Sequence, residues 1–175
     1  CNESVQTFIT TPQETMHFEE YYIKERCEPE ILDVSFKGIS NAKPLTEALD
    51  SIERATKVII CPSNPIVSIG TILRVKEMRK ALIEVKNKVI GISPIIEGTT
   101  VKGPADKLME SQGLEVSPLG VAKYYEDFLG EFVIDQKDED QLPQIRDLGI
   151  KTHAFDTMMV NLKKKTDLAR FVLNI

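Results

Sequence analysis

A regular alternation of short strand-like runs and helical segments, which begins near residue 40, most limits the fold of this chain. The strand-like runs are residues 57–61, 88–93, 131–135 and 150–155. The first two are apolar with no polar alternation, which is typical of a strand covered on both faces. Strands separated by helices indicate a parallel sheet, because parallel strands need a crossover between them. We therefore predict an α/β fold: a mostly parallel, doubly wound (Rossmann-like) sheet with helices on both faces.

The first 38 residues are less regular. Residues 5–10 and 31–36 have the composition of strands, and residues 17–26, "HFEEYYIKER", have aromatic side chains at helical spacing. At the other end, we predict a final helix in 165–175 with Thr166 as its N-cap. No linker or repeat interrupts the chain, so we predict one α/β domain over residues 1–175.

Composition limits the classes of function. The formal net charge is −5, which argues against non-specific nucleic-acid binding because that requires a basic surface. The three cysteines have no metal-binding spacing, and unpaired thiols favour a reducing, cytoplasmic location. No run of 18 apolar residues occurs, so no membrane interaction is predicted.

The loop after the first apolar strand, "CPSNPIVSIGT", has an unusual composition. Pro62 ends the strand, and Pro65 favours an extended conformation for the residue before it. This loop should lie at the carboxyl edge of the sheet, where ligands of such folds bind. Its polar and small residues suit contact with a nucleotide or phosphate, and they are Ser63, Asn64, Ser68 and Gly70. The alternative is a rigid turn that only packs, with Asn64 as its cap.

The loop after the second strand, "SPIIEGTTVKGPADK", places Lys102 and Gly103 just before a predicted helix. A positive charge there opposes the helix dipole, so it becomes favourable only when an anion lies between the lysine and the helix amides. Ser93 and Gly98 belong to the same loop. We predict a phosphate site here; the alternative is a solvated lysine. Walker and dinucleotide-binding glycine motifs are absent.

Asp156 follows the last strand and should reach the same edge of the sheet. It could contact a metal, a base or a sugar hydroxyl, or it could cap a turn. Glu97 is the only acid in residues 94–103, and one interpretation is that it binds a metal or acts as a base. We interpret His153 as a core histidine.

Several blocks together resemble the 2-phospho-L-lactate transferase family of deazaflavin biosynthesis. They are "CPSNPIVSIGTIL", "SPIIEGTTVKGPADKLM", "LGVAKYYEDFLGEFVID" and "FDTMMVNLKKKTDLARFVL". The resemblance implies a phosphotransferase-class enzyme that moves a 2-phospho-L-lactyl or phosphoenolpyruvyl group from a guanosine-diphosphate-linked donor to a hydroxyl of the deazaflavin Fo. GMP leaves, Mg²⁺ is the cofactor, and the product belongs to coenzyme F(420) biosynthesis in methanogens and actinobacteria. Such enzymes are cytoplasmic and commonly homodimers.

The chain also departs from that family. Family members are longer and begin with a glycine-rich segment followed by acidic residues, and nothing of that kind occurs here. The resemblance therefore implies a C-terminal part, with the metal ligands and the base upstream of Cys1. Ten of the positions that match the family's blocks are site candidates. The loop residues Ser63, Asn64, Pro65, Ser68, Gly70, Ser93, Gly98, Lys102 and Gly103 would bind the donor, with Lys102 also catalytic, and Asp156 would be a second catalytic candidate.

Two rival interpretations stay open. One is a non-catalytic, nucleotide-sugar-binding regulatory protein of the same fold, which resembles the gluconeogenesis-factor-like proteins. The other is an α/β domain whose loops only pack.

Overall fold

The computed structural model describes all 175 residues and contains nine strands and seven α-helices. The strands are β1 (Gln6–Thr10), β2 (Thr15–His17), β3 (Asp33–Lys37), β4 (Val58–Ile60), β5 (Val89–Ile92), β6 (Ile95–Ile96), β7 (Thr99–Thr100), β8 (Glu131–Asp135) and β9 (Lys151–Phe155). The helices are α1 (Thr46–Arg54), α2 (Gly70–Arg74), α3 (Met78–Glu84), α4 (Ala105–Ser111), α5 (Pro118–Tyr125), α6 (Leu142–Asp147) and α7 (Leu162–Asn174). None of the helices is both long and apolar enough to cross a membrane.

The central sheet is parallel and has four strands in the order β4–β5–β8–β9. The strands follow one another across the sheet in chain order, and helices connect each to the next. Gly91 of β5 lies opposite Phe132 of β8, and the aromatic ring covers the glycine. The α/β prediction, with a parallel sheet flanked by helices, is confirmed.

Alternate residues of the sheet enter two separate cores, as the period of two requires. One face, which includes Val89, Phe132 and Ile134, belongs to a core of 23 buried residues formed with the helices that connect the strands. The opposite face contributes Ile90, Ile92 and Val133 to a smaller core with α7. Helices therefore cover both faces, but α7 alone supplies the helical side of the smaller core.

β4 differs from its prediction as a strand covered on both faces. It lies at one edge of the four-stranded sheet, so only one of its sides has a neighbouring strand. Ile59 is 37% exposed, and Val58 and Ile60 are half-buried. An apolar run predicts a strand but not its place in the sheet, because edge and central strands can have the same composition.

The first 38 residues form a separate antiparallel sheet in the order β2–β1–β3, which confirms both predicted strands. The predicted helix at 17–26 is reduced to a short helical turn with π-helical hydrogen bonding over Glu20–Lys24. Tyr21 of this turn is fully buried, and its hydroxyl is within hydrogen-bond distance of the carbonyls of Cys27 and Pro29. Side chains from this sheet and from the parallel sheet share the larger core. The assignment of a single domain over 1–175 stays a prediction.

Glu131 at the start of β8 predicts how stability depends on pH. Burial raises the pKa of its carboxyl, but hydrogen bonds from His153 and Lys151 more than offset this, so the pKa lies below its usual value. The contribution of the ionised Glu131 carboxylate to stability is then complete above the unfolded-state pKa of about 4.3. It is lost as the pH falls through the lower folded-state pKa. We expect Glu131→Gln to melt below the wild type at pH 7, with the difference shrinking towards pH 3. Thermal melts over this range measure it. A constant difference at every pH would contradict the prediction, and Glu84→Gln, in an exposed helical pair with Lys80, is the control.

Candidate functional site

A cavity of about 970 Å³ opens beyond the carboxyl ends of the parallel strands. The loops after β4, β5 and β9 line it, together with the antiparallel sheet and the start of α7. This is the edge at which ligands of parallel α/β sheets bind, because the strand-to-helix loops meet there. Six of the ten predicted site residues line this cavity: Ser63, Asn64, Ser68, Ser93, Lys102 and Gly103. The other four, Pro65, Gly70, Gly98 and Asp156, do not.

Asn64 forms the cap of a helical turn. Its side-chain oxygen accepts hydrogen bonds from the backbone N–H groups of Ile66 and Val67, at 2.9 and 3.2 Å. Pro65 occupies the first position of the turn over Pro65–Ile69, where a missing N–H is tolerated. The side-chain amide nitrogen of Asn64 makes no hydrogen bond within the chain, so one residue can both cap the turn and offer a donor to the cavity.

Replacing Asn64 separates these two roles. We expect Asn64→Ala to lower the free energy of unfolding by about 1 kcal/mol, because a helix cap is lost. Asn64→Asp keeps the capping oxygen and should retain most of that stability, while it removes the amide donor. Urea denaturation measures the first effect, and ligand titration of the two variants measures the second. Equal stability of the alanine variant and the wild type would argue against the cap.

Ser63 and Ser68 line the cavity, and neither hydroxyl makes a hydrogen bond within the chain. Gly70, in contrast, is buried at the start of α2 and has helical backbone angles. A Cβ atom there would lie 2.6 Å from the carbonyl oxygen of Pro65, so the packing of the turn accounts for this glycine. The serines thus remain as candidate ligand contacts in this loop, and a contact from Gly70 rests on the resemblance alone.

The second loop contains a tight hairpin formed by β6 and β7. Glu97 and Gly98 form its two-residue turn with φ angles of +51° and +70°, a conformation that suits glycine at the second position. The Ser93 hydroxyl is engaged within the loop, because it donates to the carbonyl of Ile95 and accepts from its N–H. Lys137 pairs with the Glu97 carboxylate at 2.6 Å, so this acid is directed away from the cavity lining.

Two lysines without ion-pair partners line the cavity. Lys102 follows the hairpin, and Lys165 lies in the first turn of α7. Neither ammonium makes a salt bridge or a hydrogen bond within the chain. Two uncompensated cations at one concave surface attract an anion with more than one charged oxygen, such as a diphosphate.

Lys165 was not predicted from the sequence, although a signal was present. The N-cap of α7 is Asn161, whose side-chain oxygen accepts from the N–H of Lys164 at 3.0 Å, so the prediction of Thr166 as the cap is wrong. The helix begins four residues earlier than Thr166, and three consecutive lysines then occupy its first turn. Positive charge at a helix N-terminus is unfavourable, and the phosphate site at Lys102 is predicted from the same arrangement.

Asp156 lies beside the cavity but does not line it. One of its oxygens accepts from the N–H of Met158, and the other pairs with Lys164. The hydrogen bond from Lys164 is the main reason that the pKa of this carboxyl lies below its usual value. The residues that follow, Thr157 to Val160, do line the cavity.

An aromatic and apolar rim was also missed from the sequence. Phe18 and Tyr22 stack with ring centroids 5.9 Å apart and an angle of 18° between the rings. Val101, Met159 and Val160 lie in the same lining and are exposed. The only hint was "HFEEYY", whose aromatic spacing is equally typical of a helix that packs on a core.

The residues of this chain do not form a magnesium site of their own. Glu19 is the one carboxylate in the cavity lining, and no group of three or more histidine, cysteine, aspartate or glutamate side chains is arranged to hold a metal. Mg²⁺ is bound through several oxygen ligands in near-octahedral geometry, which a single carboxylate does not supply.

Comparison with known proteins gives one consistent family. The family described as "2-phospho-L-lactate transferase CofD" matches residues 1–170. A 2-phospho-L-lactate transferase from Methanosarcina acetivorans is 40% identical over 174 residues, which cover 99% of this chain and 56% of that protein. A phosphoenolpyruvate transferase from Streptomyces griseus is 34% identical over 161 residues, covering 91% of this chain and 51% of that protein. The chain thus spans about half the length of these relatives.

Solved structures support the fold. A crystal structure of a Bacillus halodurans protein superimposes with a TM-score of 0.58 at 14% identity, covering 97% of this chain and 59% of that chain. A second structure from that organism, described as a member of the UPF0052 family, has a TM-score of 0.56 at 16% identity. At this identity the likeness concerns the fold alone.

Proposed function

The chain belongs to the 2-phospho-L-lactate transferase CofD family, and from this premise we propose the activity of the full-length protein to which it contributes. That protein transfers a 2-phospho-L-lactyl or phosphoenolpyruvyl group from a guanosine-diphosphate-linked donor to a hydroxyl of the deazaflavin Fo. The reaction releases GMP and serves coenzyme F(420) biosynthesis. The observation that carries the proposal is the cavity with two unpaired lysines, Lys102 and Lys165, at the carboxyl edge of the sheet.

The donor's diphosphate matches the polar part of this cavity. Lys102 supplies positive charge from the segment after β7 and Lys165 from α7, and the hydroxyls of Ser63 and Ser68 supply neutral donors. Such an arrangement binds the ground state and also stabilises the charge that develops on the departing GMP.

The chemical step is a substitution at phosphorus. The acceptor's hydroxyl oxygen forms a bond to the phosphorus that carries the lactyl or enolpyruvyl group. The bond between that phosphorus and the bridging oxygen breaks, and its electron pair leaves with GMP, while the hydroxyl proton passes to a base. No side chain of this chain has an arrangement that assigns it as that base, so its contribution is to bind and orient the donor and to stabilise charge.

The acceptor's ring system fits the apolar rim. A planar aromatic ring can stack on the Phe18–Tyr22 pair, and Val101, Met159 and Val160 offer apolar contact on the other parts of the rim. Binding there would cover apolar side chains that are otherwise exposed to water. The polar and the apolar side chains of this one cavity then serve the donor and the acceptor respectively.

Mg²⁺ dependence, a homodimeric state and a cytoplasmic location are proposed on the family resemblance. Because the cavity offers only Glu19 as a carboxylate, further metal ligands would come from the rest of the full-length protein. Light scattering after gel filtration tests the dimer, and activity after chelation tests the metal requirement.

Thermal shift assays on the full-length protein test the proposal. We expect GDP and Fo each to raise the melting temperature, since a ligand that binds the native state stabilises it. Stabilisation by a UDP-sugar alone would instead support the regulatory protein of the same fold. No shift with any of these ligands would favour loops that only pack. Formation of the phosphorylated deazaflavin product, followed by chromatography, completes the test.

A further inference from the structure

Two buried aspartates at the carboxyl end of β8 hold two different walls of the cavity. Asp135 is 2% exposed and Asp138 is 4% exposed, and neither lines the cavity itself. Aspartate is rarely buried this deeply unless its oxygens are hydrogen-bonded. The partners of these carboxylates identify what each one fixes.

Asp138 holds the hairpin that leads to Lys102. Both of its carboxylate oxygens accept from the backbone N–H of Glu97, at 3.0 and 3.1 Å. Glu97 is the first residue of the hairpin turn, so its N–H lies outside the β6–β7 ladder and depends on this aspartate. A local hydrogen bond connects the end of the hairpin to the lysine, because the hydroxyl of Thr100 donates to the carbonyl of Lys102 at 2.8 Å.

Asp135 holds the segment after β9. One oxygen accepts from both the N–H and the hydroxyl of Thr157, each at 2.9 Å, and the other accepts from the N–H of Lys137 at 3.1 Å. Thr157 is itself buried and begins the part of this segment that lines the cavity through Val160. Asp135 therefore places Met159 and Val160 of the apolar rim, as Asp138 places the hairpin before Lys102.

We propose that Asp135 and Asp138 are positioning residues: Asp138 fixes the β6–β7 hairpin, Asp135 fixes residues 157–160, and together they set the spacing of the two cavity walls. They touch neither donor nor acceptor. The expected effect of the two aspartates on ligand binding rests on the proposed function. Their effect on the hairpin and on residues 157–160 is independent of it. A carboxylate suits each place because every hydrogen-bond partner of these two side chains is a donor.

Asparagine and alanine distinguish the two sites. At position 138, asparagine keeps one oxygen that can accept from Glu97, so Asp138→Asn should retain much of the tether that Asp138→Ala removes. At position 135, both oxygens face N–H donors, so Asp135→Asn must direct its NH₂ group at one of them. Lys137→Met is the matched control, since it removes the exposed ion pair to Glu97 and leaves both aspartates in place.

Hydrogen exchange by mass spectrometry on the full-length protein provides the test. We expect a crossed pattern: Asp138→Ala speeds exchange in 95–103 and leaves 156–161 unchanged, and Asp135→Asn does the reverse. The dissociation constant for GDP should rise about tenfold in Asp138→Ala, and that for Fo should rise about tenfold in Asp135→Asn. Each variant loosens the wall assigned to that ligand, and a displacement near 1 Å at a binding group has effects of this size or larger. Asp138→Asn should recover most of the GDP affinity, and Lys137→Met should match the wild type in both measurements.

Three results would overturn the proposal. Faster exchange throughout the protein in both variants would make the aspartates general stability residues. Unchanged exchange in residues 95–103 and 156–161 would show that the two aspartates do not restrain these segments. The crossed pattern with unchanged affinity for GDP in Asp138→Ala and for Fo in Asp135→Asn would show that the wall spacing does not matter for binding. Failure of the wild-type protein to bind GDP or Fo would instead contradict the proposed function. The exchange pattern alone would then show whether the two aspartates restrain their segments.

Discussion

Replacing Lys102 by alanine in the full-length protein is expected to lower kcat/KM for the transferase reaction by about 100-fold, the effect seen when one donor to a developing charge is removed. Lys102 lines the cavity and its ammonium has no ion-pair partner in the chain, so its charge is available to the diphosphate of the proposed donor. The loss should appear in kcat as well as in KM, because in the proposed reaction negative charge increases on the leaving GMP in the transition state. Steady-state kinetics with varied donor concentration measure both.

The matched control is Lys80→Ala, which removes a lysine from the exposed helical pair with Glu84. Its kcat/KM should equal that of the wild type. Lys102→Arg should fall between the alanine variant and the wild type, because it keeps the charge but changes the geometry. An unchanged kcat/KM in Lys102→Ala would end the role assigned to this lysine.

Phe132→Ala should have the largest effect on stability, with a loss of about 3–5 kcal/mol in the free energy of unfolding, as for other buried aromatic residues. Phe132 is fully buried in β8, the third of the four parallel strands, and its ring lies over Gly91 of the neighbouring strand. Glycine has no side chain to refill the space, so the cavity left by the ring cannot close easily. Urea denaturation of the full-length protein measures the change.

Leu173→Ala is the control for this prediction, because Leu173 is exposed on α7 and its truncation opens no cavity. We expect its free energy of unfolding to lie within about 0.5 kcal/mol of the wild type. A loss below about 1 kcal/mol in Phe132→Ala would mean that the core collapses around the missing ring.

The sequence predicted the parallel sheet and the edge at which the cavity lies. The reason is that strand composition and the positions of proline and glycine are local signals, and parallel topology then brings the loops after the strands together. Six of the ten predicted residues line the cavity for this reason. Their roles in binding stay predictions.

Contacts between distant residues were beyond these local signals. Asp138 and Glu97 are 41 positions apart, and Asp135 and Thr157 are 22 apart, so no spacing in the sequence indicates either hydrogen bond. The place of β4 at the edge of the sheet was missed because composition does not encode strand order. The aromatic rim was missed because Phe18 and Tyr22 reach the cavity from the helical segment that follows β2, and the strand pattern does not determine how that segment packs.

The edge position of β4 also affects how this chain behaves in solution. A strand with one unpaired side presents N–H and C=O groups that another strand can bind, and exposed apolar residues such as Ile59 strengthen that tendency. Self-association through this edge would depend on protein concentration and would bury Ile59 without filling the ligand cavity. Binding measurements on the chain by itself therefore need to be made at several protein concentrations, so that assembly along the sheet is not mistaken for an effect of ligand.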